Sequence, residues 1–108
     1  MLRYSFLVLW ILILAALPSF SAEPGPTDLP AGNMQKKART ACTMCHDARI
    51  IVQQRLNQAA WTKEVDKMVK WGAILNPSDR DALIEYLSSN FPPDKAPYVA
   101  PRSARRQH

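Results

Sequence analysis

The chain has 108 residues, 47% of them hydrophobic, with 14 basic and 9 acidic side chains and two cysteines. That length bounds one small domain, and domains of this size often need a cross-link, a metal or a cofactor to be stable. No basic motif interleaved with aromatic residues accompanies the positive charge, which excludes nucleic acid as a partner class.

The first residues have the form of an export signal. Arg3 gives a short positive start, Phe6 to Leu17 is an unbroken apolar run of twelve, and Pro18-Ser19-Phe20-Ser21-Ala22 supplies a helix breaker followed by small residues. Cutting after Ser21 or Ala22 leaves 87 or 86 residues. Twelve helical residues reach only about 18 Å, against a hydrocarbon core of about 30 Å, so no stable membrane span is expected. Residues 1–21 are therefore read as a cleaved signal peptide and the protein as periplasmic. Losing Arg3 leaves 13 basic and 9 acidic residues, a net charge of +4. Weak docking to an acidic partner and a simply solvated basic surface account for that charge equally well.

Residues 22–32, with Glu23-Pro24-Gly25-Pro26 and Pro30, read as an extended linker. A folded domain is expected over 33–91, with helices at Asn33 to Ala41, Asp47 to Leu56, Ala60 to Trp71 and from Asn76 onward. Asn33 is a plausible N-cap for the first helix. The Ile50-Ile51-Val52 run in the second also suits a strand, but its polar continuation favours helix.

Between the first two helices lies Cys42-Thr43-Met44-Cys45-His46. Two thiols three apart can add across the two vinyl groups of a haem, and the histidine that follows is then placed to ligate the iron. Other readings explain less. A thioredoxin-like pair needs a preceding strand, which is missing; zinc needs a fourth ligand, with only His108 left to supply it; a structural disulfide leaves His46 without a role. A single C-x-x-C-H, with no internal repeat, predicts one covalent haem c.

The third helix places Trp61, Val65, Met68 and Val69 on one face, with Lys63, Glu64, Asp66, Lys67 and Lys70 covering the other, and Gly72 stops it. Met68 is thereby a candidate for the second axial position, since a thioether opposite histidine raises the reduction potential. Filling a gap in the core is the ordinary use of such a methionine. The rivals are Met34, Met44, His108 and an open, five-coordinate iron. In the fourth helix Asn76-Pro77-Ser78-Asp79 gives a start signal, and Leu83, Ile84, Leu87 and Phe91 form a stripe expected to pack on the first helix and the haem. Residues 92–108 read as an extended, proline-rich basic tail, for which plain disorder is the main reading and docking of Tyr98, Arg102, Arg105 and Arg106 on a partner subunit the alternative.

Cys42-Thr-Met-Cys45-His46, Trp61-x-x-x-Val65-x-x-Met68-x-x-x-Gly72-Ala73 and Asp79-x-x-x-Leu83-Ile84-x-Tyr86-Leu87 together resemble small class I c-type cytochromes. Within them the chain is similar to the cytochrome subunits that accept electrons from sulfite dehydrogenases and related periplasmic oxidoreductases. The resemblance covers roughly residues 33–91. It implies an all-α, cytochrome c-like fold of about four short helices around one haem, with Cys42 and Cys45 attached to it and His46 and Met68 on its iron. It also implies outer-sphere electron transfer between a partner dehydrogenase and a downstream cytochrome or oxidase, with no catalysis by this chain. The compact, basic stretch between His46 and Trp61 and the tail beyond Phe91 depart from the shared pattern. Trp61 and Trp71 are candidates to pack on the macrocycle, and Arg39, Arg49 and Arg55 to pair with its propionates. An open distal site would instead make a protein that binds a small gas or reacts with peroxide.

Overall fold

The computed structural model describes residues 25–101. The expected signal peptide, the first residues of the linker and residues 102–108 lie outside that range. Within it the protein is all-α: α1 is Gln35–Cys42, α2 Arg49–Val52, α3 Gln58–Lys70 and α4 Arg80–Asn90, with a 3-10 turn at Pro77–Asp79. No strand occurs among the described residues, and no helix there is long and apolar enough to cross a membrane.

α1 starts two residues later than the sequence suggests, and Asn33 does not cap it. Met34 holds the cap position with no side-chain bond. The first turn is closed from behind instead: the Gly32 carbonyl accepts from the Gln35 N–H at 3.1 Å, and the Gln35 side chain donates to the Leu29 carbonyl at 2.7 Å. Ala38 and Ala41 are buried, which lets the helix approach its neighbours closely.

α2 is one turn rather than the ten residues expected. Asp47 opens it by accepting the Arg49 N–H at 2.8 Å. Tertiary bonds then end it early. The Arg55 guanidinium donates to the carbonyls of Val52, Gln54 and Ala96, and the Leu56 N–H donates to the Phe91 carbonyl at 3.0 Å. A helix continued through Leu56 would have to give up these partners, and buried backbone groups tolerate such losses poorly. Ile51 and Val52 are buried, so the apolar run turns as a helix and not as a strand.

α3 begins at an N-cap that the sequence reading passed over: Asn57 accepts the Ala60 N–H through its side chain at 2.9 Å. Asn76 does the same for the 3-10 turn, accepting from the Ser78 N–H at 3.1 Å, with Pro77 preset at its start. The expected stripe of Leu83, Ile84, Leu87 and Phe91 is fully buried, and Tyr86 joins it. α4 packs chiefly on α3 rather than on α1. Arg80 grips Asp66 of α3 through two nitrogens, at 2.7 and 2.8 Å, and holds that carboxyl below its usual range. α1 is tied in by Lys37–Asp79. These ion pairs are exposed and decide register more than stability.

The two flanking segments are less loose than their proline content suggests. Leu29, in the expected linker, is only 3% exposed and belongs to the core, and the Tyr86 hydroxyl donates to the neighbouring Pro30 carbonyl. Asp28 pairs with Arg39. At the other end Tyr98, expected to be free for a partner, packs against the core and donates to the Pro26 carbonyl at 3.2 Å, while the Gly25 N–H donates to Val99 at 2.7 Å. Both ends of the described chain thus run side by side, with no regular structure. Because Leu29 is a core residue, Leu29→Ala should destabilise the protein by about 2–5 kcal/mol in a denaturant titration; a change within ~0.5 kcal/mol is what a linker position would give.

Candidate cofactor site

An apolar cavity of about 310 Å³, open on one side, lies where the four helices meet. The end of α1 contributes Ala41 and Cys42, the turn after it His46, and the α2 region Ile50, Ile51, Gln54 and Leu56. α3 contributes Trp61, Glu64, Val65, Met68 and Val69, the loop after it Ala73 and Leu75, and α4 Leu83 and Leu87. Ile50 and Val69 are 47% and 41% exposed. For these two the exposure is to the cleft, which is why an apolar side chain tolerates it.

Local geometry explains how the sequence places each group. The last helical bond of α1 runs from the Thr43 N–H to the Arg39 carbonyl at 3.0 Å, and the Thr43 hydroxyl donates to the same carbonyl at 2.8 Å. The chain then reverses through 43–46. That leaves Cys42 half-buried on the cleft wall, Cys45 exposed outside the lining and His46 half-buried within it. Burial pushes the Cys42 thiol up from its ordinary pKa. Both thiols are free. The His46 Nδ1 lies 3.4 Å from the Asp47 carbonyl, a long contact that still biases the ring to present its other nitrogen elsewhere.

Met68 reaches the same cleft from α3, and the end of that helix fixes it there. Gly72 has φ +107, the Gly72 N–H donates to Val69 at 3.0 Å and the Ala73 N–H donates to the Met68 carbonyl at 2.9 Å. This is a Schellman turn, with Gly72 in the left-handed position and Met68 as the acceptor of its longer bond. It reverses the chain and brings Ala73 and Leu75 back onto the cleft wall. Of the other methionines, Met44 is 70% exposed and Met34 packs against the core, and neither lines the cleft. His108 lies outside the described residues.

The donor set and the lining suit a covalently attached haem. A thiol, an imidazole and a thioether converge on an apolar space, and the second thiol is exposed three residues after the first. Among the described residues no group of three or more His, Cys, Asp or Glu side chains gathers in a form that would hold a bare metal ion.

Several expected contributors stand elsewhere. Arg39 is engaged by Asp28, Arg49 by Asp47 and Arg55 by backbone carbonyls, and none lines the cleft. With no lysine or arginine in the lining, haem propionates would have to leave through the open side. Trp71 is 72% exposed and outside the cleft, with the Lys67 ammonium 5.6 Å from its ring centroid. Trp61 does line the cleft, but its indole N–H points at the Phe91 carbonyl, at 3.5 Å. Glu64, assigned to the polar face, instead lines the cleft. Its position three residues after Trp61 and four before Met68 was the available signal.

Comparison of the chain with protein-family models, with curated proteins and with solved structures returns no match. The functional reading therefore rests on the residues themselves.

A Cβ added at Gly72 meets nothing within 4 Å, so Gly72→Ala isolates the backbone cost of the turn that holds Met68. The expected loss is about 1–2 kcal/mol, read as a fall in melting temperature of about 4–8 °C for each kcal/mol. An unchanged melting temperature would show that the turn is not held.

Proposed function

We propose that this protein is an exported, mono-haem c-type cytochrome that carries single electrons. The observation that supports it most strongly is the convergence of Cys42, His46 and Met68, from three separate segments, on one apolar cleft. Bound there, a haem supplies a one-electron iron couple. Cys42 and Cys45 anchor it through thioether bonds. The His46 imidazole and the Met68 thioether would hold the iron, and both donor types suit either oxidation state, so one-electron exchange would need little rearrangement of the protein. Leu56, Val65, Leu83 and Leu87 exclude water from the cleft interior. Electron transfer of this kind requires no substrate pocket, so the chain is read as a carrier rather than an enzyme.

The class I resemblance extends the proposal to a cytochrome c-like fold. With export taken from the signal-like first residues, the resemblance extends it further to a periplasmic carrier between a dehydrogenase of the sulfite-oxidising type and a later cytochrome or oxidase. Partner choice then depends on the surface outside the cleft, because the haem motif is common to all such carriers.

The test is expression in a host that attaches c-type haem, followed by absorption spectra of the oxidised and reduced protein. Wild type should show sharp reduced c-type bands and a weak far-red sulfur-to-iron band, with haem retained through a denaturing gel. Met68→Ala should lose the far-red band and become high-spin while keeping its haem. Cys42→Ala with Cys45→Ala should lose covalent haem. Wild-type protein without covalent haem would overturn the proposal, and a high-spin wild-type spectrum left unchanged by Met68→Ala would replace the carrier with a protein whose sixth position is open.

A further inference from the structure

Glu64 is the one carboxylate in the cleft lining, and no lysine or arginine stands there with it. Its two oxygens hold the Lys67 Nζ at 2.6 and 2.7 Å. The same ammonium faces the exposed Trp71 ring on its other side. Lys67 thus stands between a residue of the cleft lining and the exposed Trp71 ring. Glu64 and Lys67 are 42% and 40% exposed, so the pair adds little to folding stability, and a structural role leaves its position unexplained. The other charged pair that α3 makes, Asp66–Arg80, lies outside the cleft lining.

Resting on the haem reading above, we propose that Glu64 and Lys67 set the reduction potential of the iron held in this cleft, Glu64 lowering it and Lys67 offsetting that effect. Reduction adds one electron and no proton, so the ferric state carries one more positive charge than the ferrous state. A fixed carboxylate at the cleft stabilises the ferric state. An ammonium beside it stabilises the ferrous state. Both groups are partly exposed, so water and added salt screen them, and the apolar wall of Trp61, Val65 and Met68 preserves only the part of each field that reaches the iron through the cleft. The lining holds no aspartate, lysine or arginine, so the Glu64 charge acts there with little competition.

The experiment is a potentiometric titration of the haem-loaded full chain at low and high salt. Glu64→Gln should shift the midpoint potential upward, Lys67→Gln should shift it downward, and the double variant should return close to wild type. Asp66→Asn, which breaks the pair outside the cleft, should leave it unmoved. Both single shifts should shrink with salt, and the far-red band should persist throughout, showing that Met68 has not been displaced. Shifts of the same sign, or no shift with an intact far-red band, would overturn the inference and leave the haem reading standing. Wild type that takes up no covalent haem would overturn both.

Discussion

The carbonyl of Phe91 is the point on which the cleft depends. It accepts the Leu56 N–H at 3.0 Å and the Trp61 indole N–H at 3.5 Å, while the Phe91 ring packs at a tilt against Trp61 with centroids 6.1 Å apart. One residue at the end of α4 thereby holds the loop before α3 and the first turn of α3 itself. Phe91 is among the most deeply buried side chains in the protein. Buried polar groups are costly to leave unpaired, and this carbonyl satisfies two donors at once. With α3 fixed at its start, the rotation of that helix is fixed too, and Met68, seven residues on, faces the same space as Trp61 and Val65.

A cleft of this kind is a large concession for a small domain. Apolar surface such as Ile50 and Val69 remains open to solvent when it could have been folded inward, at about 25 cal/mol for each Å² left wet. Small domains have little burial to spare, and much of what this one has comes from α3, α4 and the flanking segments through Leu29 and Tyr98. Closing the cleft by collapse would draw His46 toward Met68 and remove the space between them. The Schellman turn at Gly72, the early end of α2 at Arg55 and the clamp at Phe91 all oppose such a collapse. On the proposed reading the cofactor completes the core that these devices hold open, so its insertion and the final consolidation of the domain are one event.

Much of this was legible in the sequence, and what was missed has a common cause. The stripe from Leu83 to Phe91 and the Trp61–Val65–Met68 face were readable because helical periodicity is a local signal. Gly72 was readable as a stop for the same reason. The length of α2 was not, because Arg55 ends it with a carbonyl 41 residues away at Ala96. Leu29 looked like part of a linker because three prolines surround it, yet proline forbids regular structure without forbidding burial. Tyr98 was misread in the same way. Arg39, Arg49 and Arg55 were offered to an anionic group because charge can be seen in a sequence and its partner cannot; each proves to be engaged within the chain.

Those engaged arginines change the electrostatics of the cleft. A surface with a positive balance suggests that any anionic group bound here is met by cations, but the described cations are spent on Asp28, Asp47, Asp66, Asp79 and backbone carbonyls, or lie apart from the lining. The interior is left nearly free of fixed charge. In such a setting the field at the centre is governed by the few groups that remain, because an apolar wall neither rearranges nor screens as water does. Net charge and local field are thus separate properties in this protein. The first belongs to the outer surface, where Lys36, Lys63 and Lys70 make no ion pair among the described residues. On the proposed reading the second is set by Glu64, one turn before Met68 on α3, and by the Lys67 that pairs with it. On that reading Lys67, paired with Glu64 and set beside the exposed Trp71, is the residue through which a change on the outer surface would reach the iron.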